Sequence, residues 1–344
     1  MEVFANDHTV RLLVSGGAGF IGSGFIRYMM EKYQRVCIFN IDKLTYAGNL
    51  DNVASVNSYP NYCFFRGDVC DVEDVESAFV TAEEVFHGPI DIIVHFAAET
   101  HVDRSIELPA PFLQTNILGT EILLRLSRAH RVKRFIHVST DEVYGTLGEK
   151  DKPFQETSPL APNSPYAASK AGSDFIVRAY YETYHFPVII SRCSNNYGPY
   201  QYPEKLIPLM ITNALDDIPL PIYGDGKNVR DWIYVDDHSQ GIDVILRKGK
   251  PGEIYNLGGH NEMTNLDVAK KILALIGKSE TLIQFVPDRP GHDRRYAMDT
   301  TKIENDLGWI PRISFDNGLQ KTIEWYTTHG EWLNRVRSGV NRHM

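Results

Sequence analysis

The sequence predicts an α/β fold: a doubly wound parallel sheet, with a smaller α/β domain toward the C-terminus. Three observations carry that expectation. Short apolar runs alternate with stretches of helical period from residue 11 to residue 191. Several of the runs, residues 90–98 (IDIIVHFAA) above all, are apolar nearly throughout, as strands covered on both faces should be. Beyond about Asn195 the pattern changes to Pro- and Gly-rich segments such as YGPYQYP, DIPLPIYGDG and VPDRPGH, which read as turns around shorter elements.

The elements follow in order. Residues 11–15 (RLLVS) read as a first buried strand, and the apolar period of 25–30 as a helix after the glycines GGAGFIGS. Strands are expected at 36–42, 62–65, 90–98, 134–139 and 188–191, with helices at 116–130 and 169–185. Strands alternating with helices argue βαβ units and a parallel sheet. Residues 232–235 and 253–256 look like later strands able to rejoin that sheet. The domain division expected is therefore 1–195 with a return near 230–258, and a second unit from 196–229 and 259–344.

The chain has 344 residues, 43% apolar and 23% charged, enough for a sizeable core and the wrong composition for disorder or a coiled coil. Lys and Arg number 35 against 44 Asp and Glu, so the net charge is 35 − 44 = −9, the opposite of a general nucleic-acid binder. Cys37, Cys63, Cys70 and Cys193 form no C-x-x-C pair and read as buried free thiols in a reducing compartment. Residues 1–8 hold two acids and no apolar core of a signal peptide, and no run approaches the ~18 apolar residues of a spanning helix. A cytoplasmic protein with no membrane partner is expected.

Gly16, Gly19 and Gly22 stand between the first strand and its helix. The first permits a tight turn, the second lets the backbone approach a pyrophosphate, and the third lets helix and strand pack closely; the helix N-terminus faces the phosphates. Asp42 ends the second strand, where a carboxylate accepts from an adenosine ribose and repels a 2′-phosphate, favouring NAD over NADP. A Rossmann-type dinucleotide domain is the reading. Asp68 and Val69 would flank the adenine, and Phe96, Ala97 and Ala98 end the fourth strand close to the cofactor.

Tyr166 and Lys170 form Y-x-x-x-K, one face of a helix start, where an ammonium is expected to lower the phenol pKa. Tyr28 and Lys32 repeat the spacing, and there it reads as chance. STDEVYG, at the carboxyl end of the fifth strand, supplies the Thr140 hydroxyl and two adjacent carboxylates, Asp141 and Glu142, which can divide acid and base roles if burial raises the pKa of one. His95 and His101 lack metal-ligand spacing, and no metal is expected.

GGAGFIGS, DKLT (42–45), AAETHVDRSI (97–106), STDEVYG, SPYAASK (164–170), NNYGPYQYPEKLIP (195–208) and DRPGHDRRYAMD (288–299) resemble the extended short-chain dehydrogenase/reductases, and within them the nucleotide-sugar 4,6-dehydratases, from about Arg11 to about Tyr326. The resemblance implies the following roles. Tyr166 takes the C4 hydroxyl proton of a hexose, Lys170 tunes it and holds the nicotinamide ribose, and Thr140 bonds the same hydroxyl. Glu142 removes the C5 proton, and Asp141 protonates the departing C6 hydroxyl. NAD is implied as a tightly bound cofactor, held also by Phe20, Ile21, Lys43, Leu44, Thr45, Thr100, Thr115 and Asn196. Thr100, Thr140, Asn195, Lys205, Leu206, Pro221, Tyr223, Arg230, Asn265, Arg289 and His292 are implied to meet the substrate. Thr100 stands where the family commonly has Ser, and it keeps the hydroxyl.

Related epimerases typically lack the acid pair, so Asp141 and Glu142 discriminate. The implied substrate is dTDP-glucose; UDP-glucose remains an alternative, because thymine and uracil differ by one methyl, worth ~0.8 kcal/mol on burial. A 4-epimerase and a non-catalytic dinucleotide sensor are the other readings. A homodimer paired through the helices at 116–130 and 169–185 as a four-helix bundle is implied by resemblance.

Overall fold

A seven-stranded, all-parallel sheet forms the centre of a computed structural model that describes residues 9–338. Its strands are β1 (Val10–Ser15), β2 (Val36–Asp42), β3 (Tyr62–Arg66), β4 (Ile92–His95), β5 (Arg134–Thr140), β6 (Val188–Cys193) and β10 (Ile254–Leu257), in the spatial order β10-β6-β5-β4-β1-β2-β3. The order reverses between β1 and β4, which is where a doubly wound sheet opens a crevice at its carboxyl edge. The segments expected in the sheet lie in it, apart from residues 232–235, and β4 is shortened to Ile92–His95, so that Phe96–Ala98 leave the sheet.

Period-two burial explains the two layers. Leu12, Val14, Ile38, Val94 and Ile136 face α1 (Phe20–Lys32) and α8 (Val235–Lys248), through Phe25, Ile26, Met29, Ile242 and Ile245. The intervening Leu13, Phe39, Ile93 and Phe135 face α2 (Val72–Val85), α5 (Thr120–Ala129) and α6 (Pro165–Tyr184). Both faces are dry, so the strands carry no polar alternation.

The chain from 110 to 129 runs as one helix in three pieces: α4 (Ala110–Phe112), a π turn (Leu113–Gly119) and α5. The π turn directs Asn116 inward. Its Oδ1 accepts from the Glu99 N–H (2.9 Å), and its Nδ2 donates to the Glu99 carbonyl (3.0 Å) and to Ser169 Oγ (2.8 Å). One side chain thus ties the loop after β4 to α6. Before it lies α3 (Val102–Glu107), whose Ser105 Oγ accepts from the Tyr166 N–H.

A second lobe follows β6. β7 (Asn195–Tyr197) pairs parallel with β9 (Val229–Tyr234), which pairs antiparallel with β11 (Glu262–Thr264); β8 (Leu220–Tyr223) pairs with β12 (Ile283–Val286). Around them α7 (Leu206–Leu215), α9 (Asn265–Ile276) and α11 (Phe315–Thr328) bury Tyr197, Trp232, Ile272 and Leu319. The strand expected at 232–235 therefore does not rejoin the central sheet. β10 takes the open edge of β6, and β9 pairs instead with β7, the chain's continuation past β6. α10 (Thr301–Leu307) packs on β10, and α12 (Gly330–Ser338) closes the described chain.

The Tyr28–Lys32 pair is structural, as its reading as chance requires. Lys32 Nζ lies 2.7 Å from Asp243 Oδ2 on α8, and Tyr28 donates to the same oxygen. All four cysteines are free, but only Cys193 is buried; Cys37, Cys63 and Cys70 are half-buried, because each sits at the margin of its layer. Among the described residues no helix is long and apolar enough to cross a membrane, and residues 1–8, expected to carry no signal sequence, lie outside them.

The turn between β1 and α1 is closely packed backbone against backbone. A Cβ on Gly22 would stand 2.3 Å from the Gly16 carbonyl oxygen and 2.9 Å from the Gly17 Cα, both backbone atoms. Gly22→Ala should cost about 1–3 kcal/mol, read as a lower urea midpoint with an unchanged slope; a midpoint equal to the parent's would refute the packing described.

Candidate active site

The carboxyl ends of β1, β2, β4, β5 and β6 open into one cleft of about 320 Å³. Gly16 has φ +74° and lies against Ala97, where any Cβ would meet the Ala97 nitrogen at 2.5 Å. Gly19 caps α1 without a side chain, and a Cβ there would meet only the Gly16 carbonyl, at 3.3 Å. The first N–H groups of α1, at Phe20 and Ile21, therefore open onto the cleft with the helix dipole behind them. Gly22 lines the same floor.

Asp42 stands at the end of β2. Its Oδ2 accepts from the Ala18 N–H (2.9 Å) and its Oδ1 from the Leu44 N–H (2.8 Å). Burial raises its pKa against those two bonds. Lys43 pairs with Asp68, and Thr45, Val69 and Thr115 complete this end of the cleft. Phe96, Ala97, Ala98 and Thr100 form its wall beside β4. Leu44 alone of the expected cofactor residues does not line it: with φ 58° it turns away, and it contributes a backbone N–H to Asp42. These residues fit a dinucleotide: a pyrophosphate at an uncapped helix start and a ribose at a carboxylate.

The other end holds the reactive groups. Ser164 Oγ caps α6 by accepting from the Ala167 N–H (3.1 Å), and Pro165 starts the helix, which fixes Tyr166 and Lys170 on its first turns. Lys170 Nζ donates to the Val138 carbonyl (2.8 Å), and burial pushes its pKa down to about 8. Thr140 ends β5 and caps the turn that follows: its hydroxyl accepts from the Glu142 N–H (3.3 Å) and donates to Asp141 Oδ1 (3.2 Å). Asp141 is 1% exposed, and its Oδ2 has no hydrogen-bond partner among the described residues. Burial, then Glu142, then Asp231 hold its carboxyl well above the usual range. Glu142 is also raised by burial, but Arg289, Arg230 and Lys205 oppose that shift. The pair is thus divided: Asp141 is the readier to hold a proton and Glu142 is the readier carboxylate.

One expectation is corrected. The Tyr166 phenol lies well above its ordinary value, because burial first and then the charge of Glu142 raise it.

Of the expected substrate residues, Thr100, Thr140, Asn195 and Lys205 line the cleft. Asn196 lies beside Asn195, and Lys205 Nζ donates to the Thr100 carbonyl (2.9 Å). Arg230 and Arg289 lie outside it, in the second lobe, but act on Glu142. Arg230 is buried; it donates to the carbonyls of Val229 (2.8 Å) and Asp293 (3.0 Å) and stacks on Tyr296. Arg289 pairs with Asp103 (3.3 Å). Leu206 starts α7 and packs in the core of the second lobe, while Asn265 starts α9 with its Oδ1 buried and unpartnered among the described residues. Pro221 and Tyr223 lie on β8, Tyr223 edge-on to His292, which bonds Asp288 (2.6 Å).

Sequence reasoning missed Tyr46, Ser194, Gln201, Tyr202 and Glu204, which also line the cleft. Tyr46 and Tyr202 meet edge-on at 5.4 Å, and Arg104 stacks on Tyr46 while pairing with Glu204 (3.3 Å). Their one signal was position, Tyr46 directly after DKLT, Ser194 directly before NNYGPYQYPEKLIP and Gln201, Tyr202 and Glu204 within it, for none carries a spacing of its own.

A family model described as GDP-mannose 4,6 dehydratase matches residues 13–322. A dTDP-glucose 4,6-dehydratase of Neisseria meningitidis serogroup B is 49% identical, over 96% of this chain and 97% of its own. Among solved structures, a dTDP-glucose 4,6-dehydratase of Bacillus anthracis in complex with NAD superposes with a TM-score of 0.88 at 50% identity, covering 95% of this chain and 99% of that one. A dTDP-glucose 4,6-dehydratase of Streptomyces venezuelae, with NAD and dTDP bound, gives 0.90 at 47% identity, over 95% and 100%. With a dinucleotide turn, a Tyr-Lys pair and a divided acid pair at one sheet edge, and with relatives matching along nearly its whole length, the chain belongs to the nucleotide-sugar 4,6-dehydratase family of extended short-chain dehydrogenase/reductases.

Proposed function

We propose that this chain converts dTDP-glucose to dTDP-4-keto-6-deoxyglucose and water, as a hydro-lyase that uses bound NAD and regenerates it each turn. The observation that carries this reading is the divided pair Asp141 and Glu142 beside Tyr166. A 4-epimerase needs neither a proton donor at C6 nor a base at C5, and a sensor needs none of the three. NAD, when bound, accepts hydride from C4 and returns it at C6.

The chain's own groups do the rest. Tyr166 takes the C4 hydroxyl proton as the phenolate; burial disfavours that anion, and the Lys170 ammonium, together with the positive charge that NAD would supply when bound, would offset the penalty. Thr140 orients that hydroxyl. The 4-ketone makes the C5 proton acidic, and Glu142, kept toward its charged form by Arg289, Arg230 and Lys205, removes it. Asp141 gives its proton to the C6 oxygen, which leaves as water, and C5 is reprotonated after C6 is reduced. Asp42 selects NAD over NADP by repelling a 2′-phosphate. Asn195, Lys205, Leu206, Pro221, Tyr223, Arg230, Asn265, Arg289 and His292 are read as the nucleoside diphosphate pocket; all but Asn195 and Arg230 fall in the nucleotide-sugar unit read as 196–229 and 259–344, and Arg230 reaches the second lobe through β9. Arginine forks suit its phosphates. Four free cysteines fit a cytoplasmic site of action.

A homodimer completes the reading. Leu113 and Leu118 on the π turn and Phe175 on α6 are 49%, 47% and 60% exposed, an apolar face on the two helices that would pair with a second copy as a four-helix bundle.

Three outcomes test these statements. Protein incubated with dTDP-glucose, no NAD added, should yield a product lighter by one water in mass spectrometry, and UDP-glucose should not; an unchanged mass even with NAD supplied would sink the assignment. Asp141→Asn with Glu142→Gln should still reduce bound cofactor but release dehydrated product at least ~100-fold more slowly, whereas Tyr166→Phe should slow cofactor reduction itself by roughly 10²–10⁴-fold. Dehydration by the double variant at the parent rate contradicts the division of roles. Leu118→Asp with Phe175→Asp should sediment as a monomer at micromolar concentration where the parent is a dimer; a monomeric parent would remove the dimer.

A further inference from the structure

The resemblance that carries the site ends near Tyr326, and helix α12 beyond it has no part in the chemistry above. Yet α12 reaches the cofactor turn. Trp332, 5% exposed, donates its indole N–H to Asn52 Oδ1 at 3.0 Å. Asn52, 2% exposed, donates its Nδ2 to the Ala18 carbonyl at 2.9 Å. Ala18 stands between Gly17 and Gly19 in the turn that opens α1.

Both peptide groups of Ala18 are therefore fixed. Its N–H is held by Asp42 (2.9 Å), and its carbonyl by Asn52 and by the Asn49 N–H (3.0 Å). The carbonyl of a glycine-rich turn is the group most harmful to anion binding if it rotates toward the phosphates, since it would set a negative dipole where N–H groups are needed. Asn52 has one oxygen and one nitrogen, and each is taken: the indole fills the acceptor and so fixes which way the amide faces. A neighbouring hold comes from Arg27 of α1, which donates to the Asn52 carbonyl and stacks 4.2 Å over Tyr200. Tyr200 packs against Trp325 and Trp332 (4.6 and 5.9 Å), and Arg335 pairs with Asp51 (2.8 Å).

We infer that Trp332 and Asn52 are positioning residues for the cofactor: the indole orients the Asn52 amide, which holds the Ala18 carbonyl off the pyrophosphate so that the first N–H groups of α1 face it. This rests on the NAD reading of the site. It gives the C-terminal helix a share in cofactor retention from 280 residues away along the chain.

Trp332→Phe keeps an aromatic body and removes only the N–H. NAD stripped from the protein and titrated back should bind roughly three- to tenfold more weakly. Turnover should fall at low NAD and recover at saturating NAD, with KM for the nucleotide sugar unchanged. Asn52→Asp, which keeps the acceptor and loses the donor to Ala18, should weaken NAD in the same direction. Trp325→Phe, in the same aromatic cluster but without the bond to Asn52, should leave NAD affinity at the parent value; a purely structural role of the cluster would move both tryptophan variants alike. Parent NAD affinity in Trp332→Phe, equal losses in both tryptophan variants, or a turnover defect that NAD does not rescue would overturn the inference. NAD binding is read without turnover, so a parent that binds NAD but leaves dTDP-glucose intact would fail the proposed function alone.

Discussion

Two neighbouring carboxylic acids in a buried site cannot both give up their protons, and the site is organised around that constraint. Asp141 and Glu142 leave the end of β5 together, capped by Thr140. Burial raises both, and what separates them is the sign of the charges each one meets. Asp141 has Asp231 of β9 near it, a further carboxylate that accepts from the N–H groups of Gly259 and Asn261. Glu142 meets the cations of the second lobe. A chain with net charge −9 thus concentrates Lys205, Arg230 and Arg289 at one carboxylate. The same cations suit a diphosphate, which is the part proposed for them.

That arrangement requires the sheet to be parallel. In a parallel sheet the carboxyl ends of β1, β2, β4, β5 and β6 share one edge, and groups far apart in sequence meet there without long loops. The two lobes are joined where β6 runs on into β7. The main sheet ends at Cys193, the Ser194 N–H donates to the Leu257 carbonyl of β10, and Asn195 already pairs with β9. Ser194, Asn195 and Asn196 line the cleft because they are the crossing point between the lobes.

Much of this was legible because its chemistry is written at short spacing. Gly16, Gly19 and Gly22, Asp42 one strand later, Thr140–Asp141–Glu142, and Tyr166 with Lys170 each sit within one turn or one strand end. The strands of the central sheet were legible because both faces are apolar. What stayed hidden depends on long-range pairing. Nothing local in Trp232–Tyr234 tells whether it joins β6 or β7, since either edge would bury the same side chains. The π turn at 113–119 arises because Asn116 finds Glu99 and Ser169, partners 17 and 53 residues distant. The Trp332–Asn52 bond spans nearly the whole chain. The raised Tyr166 pKa was missed because spacing reveals the lysine but not the depth of burial or the two carboxylates beside it.

The duplicated Y-x-x-x-K shows what converts a spacing into a site. Both pairs lie on helices with the residues four apart, so geometry within the helix does not distinguish them. The difference is the counter-charge. Lys32 lies 2.7 Å from Asp243, whose side chain is wholly buried, and Tyr28 donates to the same carboxylate; the charge is answered, and the phenol is driven up. Behind Lys170 there is also an acid, Asp174, one turn further along α6. Its Oδ2 is held by the buried Arg192 at 2.9 Å, and its Oδ1 lies 3.5 Å from His137. Lys170 Nζ itself bonds a neutral carbonyl. Its positive charge is left facing the cleft, and burial makes that charge costly enough to bring the pKa to about 8. A buried lysine that Asp174 answers only in part is stabilised by any anion that forms beside it, which is what the role proposed for the Tyr166 phenolate requires.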